Sequence, residues 1–363
     1  MRILVTGAQG YIGTPLTSML LERGHEVMGL DTCFYNDGWL YHSEIKLPAC
    51  TRKDIRQVTE EDLEGFDGVV HLAELSNDPL GQLQPRNTYD INHAGSVNLV
   101  KTAKRVGIPR FVYSSSCSVY GVASDEYRSE ESETAPQTAY AKCKVLVEQD
   151  VARLADDDFS PTFLRNATAY GPSPRMRFDL VLNNLAGLAW TTGKVKLTSD
   201  GSPRRPLVHV LDICAAIACV LEAPREVVHN QIFNVGHTRE NYRIRDIAGI
   251  VADAFPGSRL ELGSSDGDAR SYLVSFEKIY TRLPTFKAQR DAVAGAKELR
   301  AVFERIGMSR ELFEFRAYTR VKQLEHLVKT QQIDEDFFWR DSPAGRSDAN
   351  RNGGAHTRVR VDL

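Results

Sequence analysis

Through the first half of the chain, short apolar runs rich in β-branched residues alternate with longer stretches of helical period. The runs fall at 3–5, 26–30, 69–72, 111–115 and 162–165. Between the third and fourth, Val97, Val100, Ala103 and Val106 recur every three residues, as one face of a helix does. Strand, helix, strand repeated in this way predicts a doubly wound α/β fold, parallel because each crossover is long enough to hold a helix. Uninterrupted apolar runs suit strands covered on both faces. From about residue 167 the rhythm loosens around Pro172, Pro174, Gly193, Gly201, Pro203 and Pro206, and 231–235 then offers a strand able to rejoin the sheet. Helices are expected over 15–23, 244–255 and 310–329. The pattern predicts a main domain over 1–166, rejoined by about 207–236, and a smaller discontinuous lobe from 167–206 and 237–340. The last stretch, 341–363, is rich in Gly, Ser, Asn, Asp and Arg with few apolar residues, and is expected to be a disordered tail.

Composition narrows the class of partner. The 363 residues are 42% hydrophobic and 26% charged, enough for one large domain or two coupled ones. A formal net charge of -3 leaves no basic field for a nucleic acid or an anionic membrane surface, so a small molecule is the expected partner. No run approaches the ~18 apolar residues of a membrane span, and the opening MRILVTG lacks a secretory pattern, so a cytoplasmic location is expected. The six cysteines are scattered without metal-ligand spacing, which predicts free thiols and no metal site.

The first strand ends in Thr6-Gly7-Ala8-Gln9-Gly10-Tyr11-Ile12-Gly13. Glycines at Gly7, Gly10 and Gly13 let the chain turn tightly, bring backbone N–H groups to a pyrophosphate, and seat a helix close to the strand with its positive end toward the phosphates. Tyr11 and Ile12 lie within that turn. Asp31 ends the second run, where a carboxylate accepts hydrogen bonds from the adenosine ribose and repels a 2′-phosphate, which favours NAD over NADP. Asp54 and Ile55 are expected beside the adenine, with Leu72 and Ala73 lining the cofactor.

Tyr140 and Lys144 stand four apart, on one face if that segment is helical. A phenol near pKa 10 is a poor base at neutral pH, and a cation beside it favours the phenolate.

The glycine turn, Asp31, Ser116 at the end of Phe111-Val112-Tyr113-Ser114-Ser115-Ser116, and Tyr140 with Lys144 together resemble the extended short-chain dehydrogenase/reductase family, specifically its nucleotide-sugar epimerases and dehydratases. The resemblance spans roughly 1–285. It implies a Rossmann-type sheet binding NAD, a smaller lobe binding a nucleoside-diphosphate sugar, and a homodimer. It also implies that Tyr140 is general base and acid on a sugar hydroxyl, with Ser116 bonded to the same hydroxyl. Lys144 would lower the tyrosine pKa and hold the nicotinamide ribose. By the same likeness Asn184, Arg205 and Arg270 would bind substrate diphosphate, and Thr168 occupies a place where many relatives have asparagine. Asn92 and His209 match family positions read here as structural.

The residues after Ser116 discriminate among reactions. Dehydratases resembling this chain carry an Asp-Glu pair there, because elimination needs an acid and a base beyond the tyrosine. This chain has Cys117-Ser118. Cys117 is expected to point away from the sugar, since neighbours on a strand end face opposite ways, which leaves Ser118 toward substrate. Hydride out and hydride back at C4 is then the simplest reaction, making a 4-epimerase the leading expectation and a dehydratase or reductase the alternative. A non-catalytic NAD-binding module is the alternative of another class. Glu74 stands where many relatives have alanine. It reads either as an additional acid/base or as a loop acid at a helix N-terminus, and Glu74→Gln is expected to spare hydride transfer while abolishing any elimination.

Overall fold

The computed structural model describes residues 1–76, 78–121, 126–264 and 270–340, so the tail expected at 341–363 lies outside the described residues. The apolar runs form the central sheet: β1 (Arg2–Thr6), β2 (Glu26–Asp31), β3 (Cys50–Arg52), β4 (Gly68–His71), β5 (Arg110–Ser116), β6 (Ser160–Asn166) and β7 (Gln231–Val235). The spatial order is β7-β6-β5-β4-β1-β2-β3, and every pairing is parallel. β7 does rejoin the sheet, beside β6. β3 has no apolar run because it is an edge strand whose Thr51 and Arg52 are exposed.

Successive strand residues feed opposite layers. Ile3, Val5, Val70 and Val112 pack with Leu16 and Leu20 of α1 (Gly13–Glu22) and with Ile213 and Ile217 of the helix Val210–Glu222. Leu4, Val69, Phe111 and Tyr113 pack on the other face with Leu99 and Val100 of α2 (Ser96–Arg105) and Val147 and Val151 of α3 (Ala139–Ala152). Strand order reverses at β1, so the carboxyl ends of β1 and β4 border the crevice where open α/β sheets take ligands.

Two devices fix α3. The Thr138 hydroxyl caps its first turn by accepting from the Ala141 N–H at 3.1 Å. Farther along, Glu148 receives the Arg165 guanidinium of β6 at 2.6 Å and the Ser115 hydroxyl of β5 at 2.5 Å, all buried. A buried charge pair satisfied on both sides locks register between helix and sheet, and so sets where Tyr140 and Lys144 stand.

Beyond the main sheet, Arg204–His209 pairs in parallel with Thr168–Tyr170 and antiparallel with Asn241–Arg243. Lys194–Lys196 pairs with Arg259–Glu261, and Tyr127–Arg128 with Leu273–Val274. The single helix expected over 310–329 is instead broken into Arg310–Glu314, a turn at Arg316–Tyr318, and α4 (Arg320–Lys329). The break lets Phe313 and Tyr318 both reach Phe178, at ring separations of 4.9 and 5.6 Å, while the Phe178 N–H donates to the Tyr318 carbonyl. Among the described residues no helix is long and apolar enough to cross a membrane.

Candidate active site

A cavity of about 670 Å³ opens along the carboxyl ends of the strands. Its lining brings together Gly7, Gly10, Tyr11, Ile12, Gly13, Asp31, Asp54, Ile55, Leu72 and Ala73 at one end, and Thr168, Asn184, Arg205 and Arg270 at the other. Glu74, Ser116, Ser118, Tyr140 and Lys144 lie between. Every site residue singled out in the sequence therefore borders one space.

The glycine turn has the close packing expected of a phosphate cradle. Gly7 sits at φ +73°, and a Cβ there would lie 2.8 Å from the Ala73 nitrogen; a Cβ on Gly13 would lie 2.1 Å from the Gly7 carbonyl oxygen. The Tyr11 and Ile12 N–H groups donate to no described residue and stand just ahead of α1, where anions bind. Asp31 accepts the Gln9 N–H at 2.9 Å and the Cys33 N–H at 2.7 Å. Burial pushes its pKa up and these two bonds oppose the rise. Asp54 borders the cavity, its two oxygens held by Arg56 at 2.8 to 3.0 Å.

Ser116 ends β5, its Oγ accepts the Ser118 N–H at 3.1 Å, and its hydroxyl is among the groups that draw the Tyr140 pKa back down. Ser118 borders the cavity, and its buried hydroxyl has no hydrogen-bond partner among the described residues. Cys117 turns the other way, its thiol donating to the Arg165 carbonyl at 3.1 Å. Cys117 does point away from the cavity, but not by strand alternation: the strand ends at Ser116, which caps a 3-10 turn over Cys117–Tyr120, and the turn separates the two side chains.

Lys144 corrects one expectation. Its ammonium meets Glu74 Oε2 at 2.5 Å and donates to the Ser114 carbonyl, while it stands 5.4 Å from the Tyr140 ring centre. Glu74 Oε1 accepts the Tyr113 hydroxyl at 2.6 Å, and the acid is 2% exposed. Burial pushes the Tyr140 phenol above its ordinary value, Glu74 and Asp78 push it further, and the Ser116 bond and Arg177 pull it back. The depression expected from Lys144 is outweighed, by burial first and by the Glu74 charge next. Glu74 is correspondingly neither a loop acid at a helix N-terminus nor a free base. Burial raises its pKa, against the pull of Lys144 and the Tyr113 hydroxyl.

At the far end, Arg205 donates to the carbonyls of Arg204 and Arg270 and lies 5.4 Å over the Tyr272 ring. Arg270 pairs with Asp78, whose other oxygen accepts the Thr138 hydroxyl at 2.6 Å. Asn184 donates to the Phe178 carbonyl at 2.9 Å. Asn92 bonds both backbone groups of Leu75, and His209 caps a helix and contacts Glu298 at 3.0 Å, both structural as expected. Sequence reasoning missed Asp78, Arg177, Asp179 and Arg320, all in the lining. Arg177 pairs with Asp179 at 2.9 Å and donates to Ser76. The alternating arginines of Pro174-Arg175-Met176-Arg177 are the one local signal that pointed to it.

Comparison with known proteins accords with this geometry. Residues 3–236 match the model of the "NAD dependent epimerase/dehydratase family". A UDP-glucose 4-epimerase of Corynebacterium glutamicum is 29% identical over 262 residues, covering 68% of this chain and 78% of that protein. The crystal structure of DesIV, a dTDP-glucose 4,6-dehydratase from Streptomyces venezuelae with NAD bound, superposes with a TM-score of 0.74 at 25% identity, over 86% of this chain and all of that one. TunA, an NAD-dependent NDP-hexosamine 5,6-dehydratase, superposes with a TM-score of 0.73 at 23% identity, over 84% of this chain and 97% of its own, and shares the fold.

The residues present fit NAD. The cradle admits no side chain at Gly7 or Gly13, leaves two N–H groups for phosphate oxygens, and has Asp31 beside it at the end of β2, accepting the Gln9 N–H. Gly13→Ala is expected to force the turn open and weaken NAD binding by at least about tenfold, the equivalent of roughly 1.4 kcal/mol. NAD retained per chain after purification measures it.

Proposed function

The chain belongs to the NAD-dependent epimerase/dehydratase family, and we propose that within it the protein is a 4-epimerase of a nucleoside-diphosphate sugar. The observation that carries this reading is the state of the acids around the cavity. Asp31 is held by two N–H groups, Asp54 by Arg56, Glu74 by Lys144 and Tyr113, Asp78 by Arg270 and Thr138, and Asp179 by Arg177. Eliminating water from a sugar needs a second base and acid beyond the tyrosine, and no described carboxylate in the lining is left free for that work. The Ser118 hydroxyl stands at the place where dehydratases of similar sequence carry a carboxylate, and Cys117 faces away.

In the proposed reaction Tyr140 takes the proton from the sugar O4 and later returns it. Ser116, whose hydroxyl acts on the Tyr140 phenol, holds the same oxygen in line. NAD, when bound, supplies a reversible hydride acceptor for C4. Asn184, Arg205 and Arg270 bind the diphosphate, a planar guanidinium fork matching phosphate oxygens, and Ser118 and Thr168 meet sugar hydroxyls. The ketosugar turns over within the cavity between the two transfers.

The test is incubation with UDP-, GDP-, CDP- and dTDP-sugars. One of them is expected to yield an isomer of unchanged mass with no net NADH formed. A product lighter by one water, or one that appears only as NADH is consumed, would replace this reading with a dehydratase or a reductase.

A further inference from the structure

The family match ends at residue 236, yet the chain returns at 320–340 to the end of the cavity where β2 and β3 finish. There it is tied down along its length. Gln323 donates to the Phe34 carbonyl at 2.9 Å, and the Trp339 indole donates to the Thr32 carbonyl at 2.7 Å. Arg52 lies 3.9 Å over the Trp339 ring, and Arg56 lies 3.6 Å over Phe338 while donating to the Asp336 carbonyl. Leu324, Leu327, Ile333 and Phe337 join the core that holds Leu4, Leu30 and Phe34. This segment thus braces the loop that follows Asp31.

Arg320, the first residue of α4, is what the bracing brings to the cavity. The residue is 5% exposed and borders the cavity, with its guanidinium 3.9 Å over the Tyr35 ring. That group makes no hydrogen bond or ion pair with a described residue; only the backbone N–H of Arg320 does, at 3.5 Å from Asp179. The nearby carboxylates are committed elsewhere, Asp31 to two N–H groups and Asp179 to Arg177. Burial and the Arg177 charge both work against the charged form, yet a guanidinium stays protonated in proteins. A buried cation stacked on an aromatic face, with carboxylates near but none hydrogen-bonded to it, is costly until an anion reaches it.

We propose that Arg320 binds the pyrophosphate of NAD, so that the C-terminal segment 320–340 forms one wall of the dinucleotide site. The ligand chemistry is a diphosphate, and two sources exist in this cavity. The position of Arg320 selects the cofactor: it stacks on Tyr35, in the loop after Asp31, whereas Arg205, Arg270 and Tyr272 cluster together elsewhere in the lining. A 2′-phosphate on the adenosine ribose would meet the Asp31 carboxylate. The inference rests on the NAD of the family and is independent of the C4 reading.

The experiment compares wild type, Arg320→Met and Arg320→Lys as full-length proteins. NAD(H) carried per chain is measured after denaturation, NADH affinity by fluorescence titration, and nucleoside-diphosphate affinity with whichever of UDP, dTDP, GDP and CDP the wild type binds. Arg320→Met is expected to weaken NADH by about tenfold to a hundredfold, as loss of a charged hydrogen bond does, with nucleoside-diphosphate affinity unchanged. Arg320→Lys keeps the charge without the planar fork and is expected to fall between. Unchanged NADH affinity in either variant overturns the proposal. So does a loss confined to the nucleoside diphosphate, which would assign Arg320 to the substrate. If Arg320→Met loses its near-ultraviolet circular dichroism, the lysine variant decides: weaker NADH at an unchanged Tm supports the assignment, and wild-type affinity refutes it.

Discussion

Tyr140→Phe is expected to lower turnover by about 10²- to 10⁴-fold, the usual worth of a positioned general acid/base, while the protein still folds and still carries NAD. Tyr140 stands in the first turn of α3, whose N-cap is Thr138 and whose far end is held by the Glu148–Arg165 pair. Phenylalanine fills the same space, and what is lost is one hydroxyl and its interaction with Ser116, about 1 kcal/mol. A small change in Tm beside a large change in kcat is thus the signature of lost proton transfer. The measurement is kcat with the sugar nucleotide that wild type converts, alongside Tm and retained NAD. Activity above about a tenth of wild type would take the proton transfer away from Tyr140, and unchanged cellular function would revive the non-catalytic reading.

What the sequence revealed and what it hid follow a physical division. The strands buried on both faces were readable because both faces demand apolar side chains, whereas β3 was not, since an edge strand with exposed Thr51 and Arg52 carries no such demand. The helix break near Phe315 is imposed by aromatic packing on Phe178, a partner remote in sequence. At the site, a local period was enough to place Tyr140 and Lys144 on one face, whereas Cys117 and Ser118 diverge through a 3-10 turn that the strand period did not foresee. The same period says nothing of Glu74, which arrives on β4's following loop and changes what Lys144 does. Arg320 had no local signal, because its meaning depends on where the end of the chain packs.

Glu74→Gln follows from that last coupling and is the sharper test of the chemistry. A general base works as the phenolate, so activity rises with pH through the apparent pKa of Tyr140. That pKa is held up by burial first and by the Glu74 charge next. Glutamine removes the negative charge and leaves the Lys144 ammonium unbalanced beside the phenol, and both changes favour the phenolate. The rising limb of kcat is therefore expected to move to lower pH, by on the order of one unit, or about 1.4 kcal/mol of differential interaction. Stability moves the other way. Stripping one partner from a buried ion pair costs about 3–5 kcal/mol, and because Gln still accepts from Lys144 and Tyr113 the fall in Tm should reflect the lower end. If Glu74 were instead the base of an elimination, the variant would lose the dehydrated product at every pH and show no displaced limb. A profile that neither moves nor falls would remove Glu74 from both the chemistry and the tuning of Tyr140.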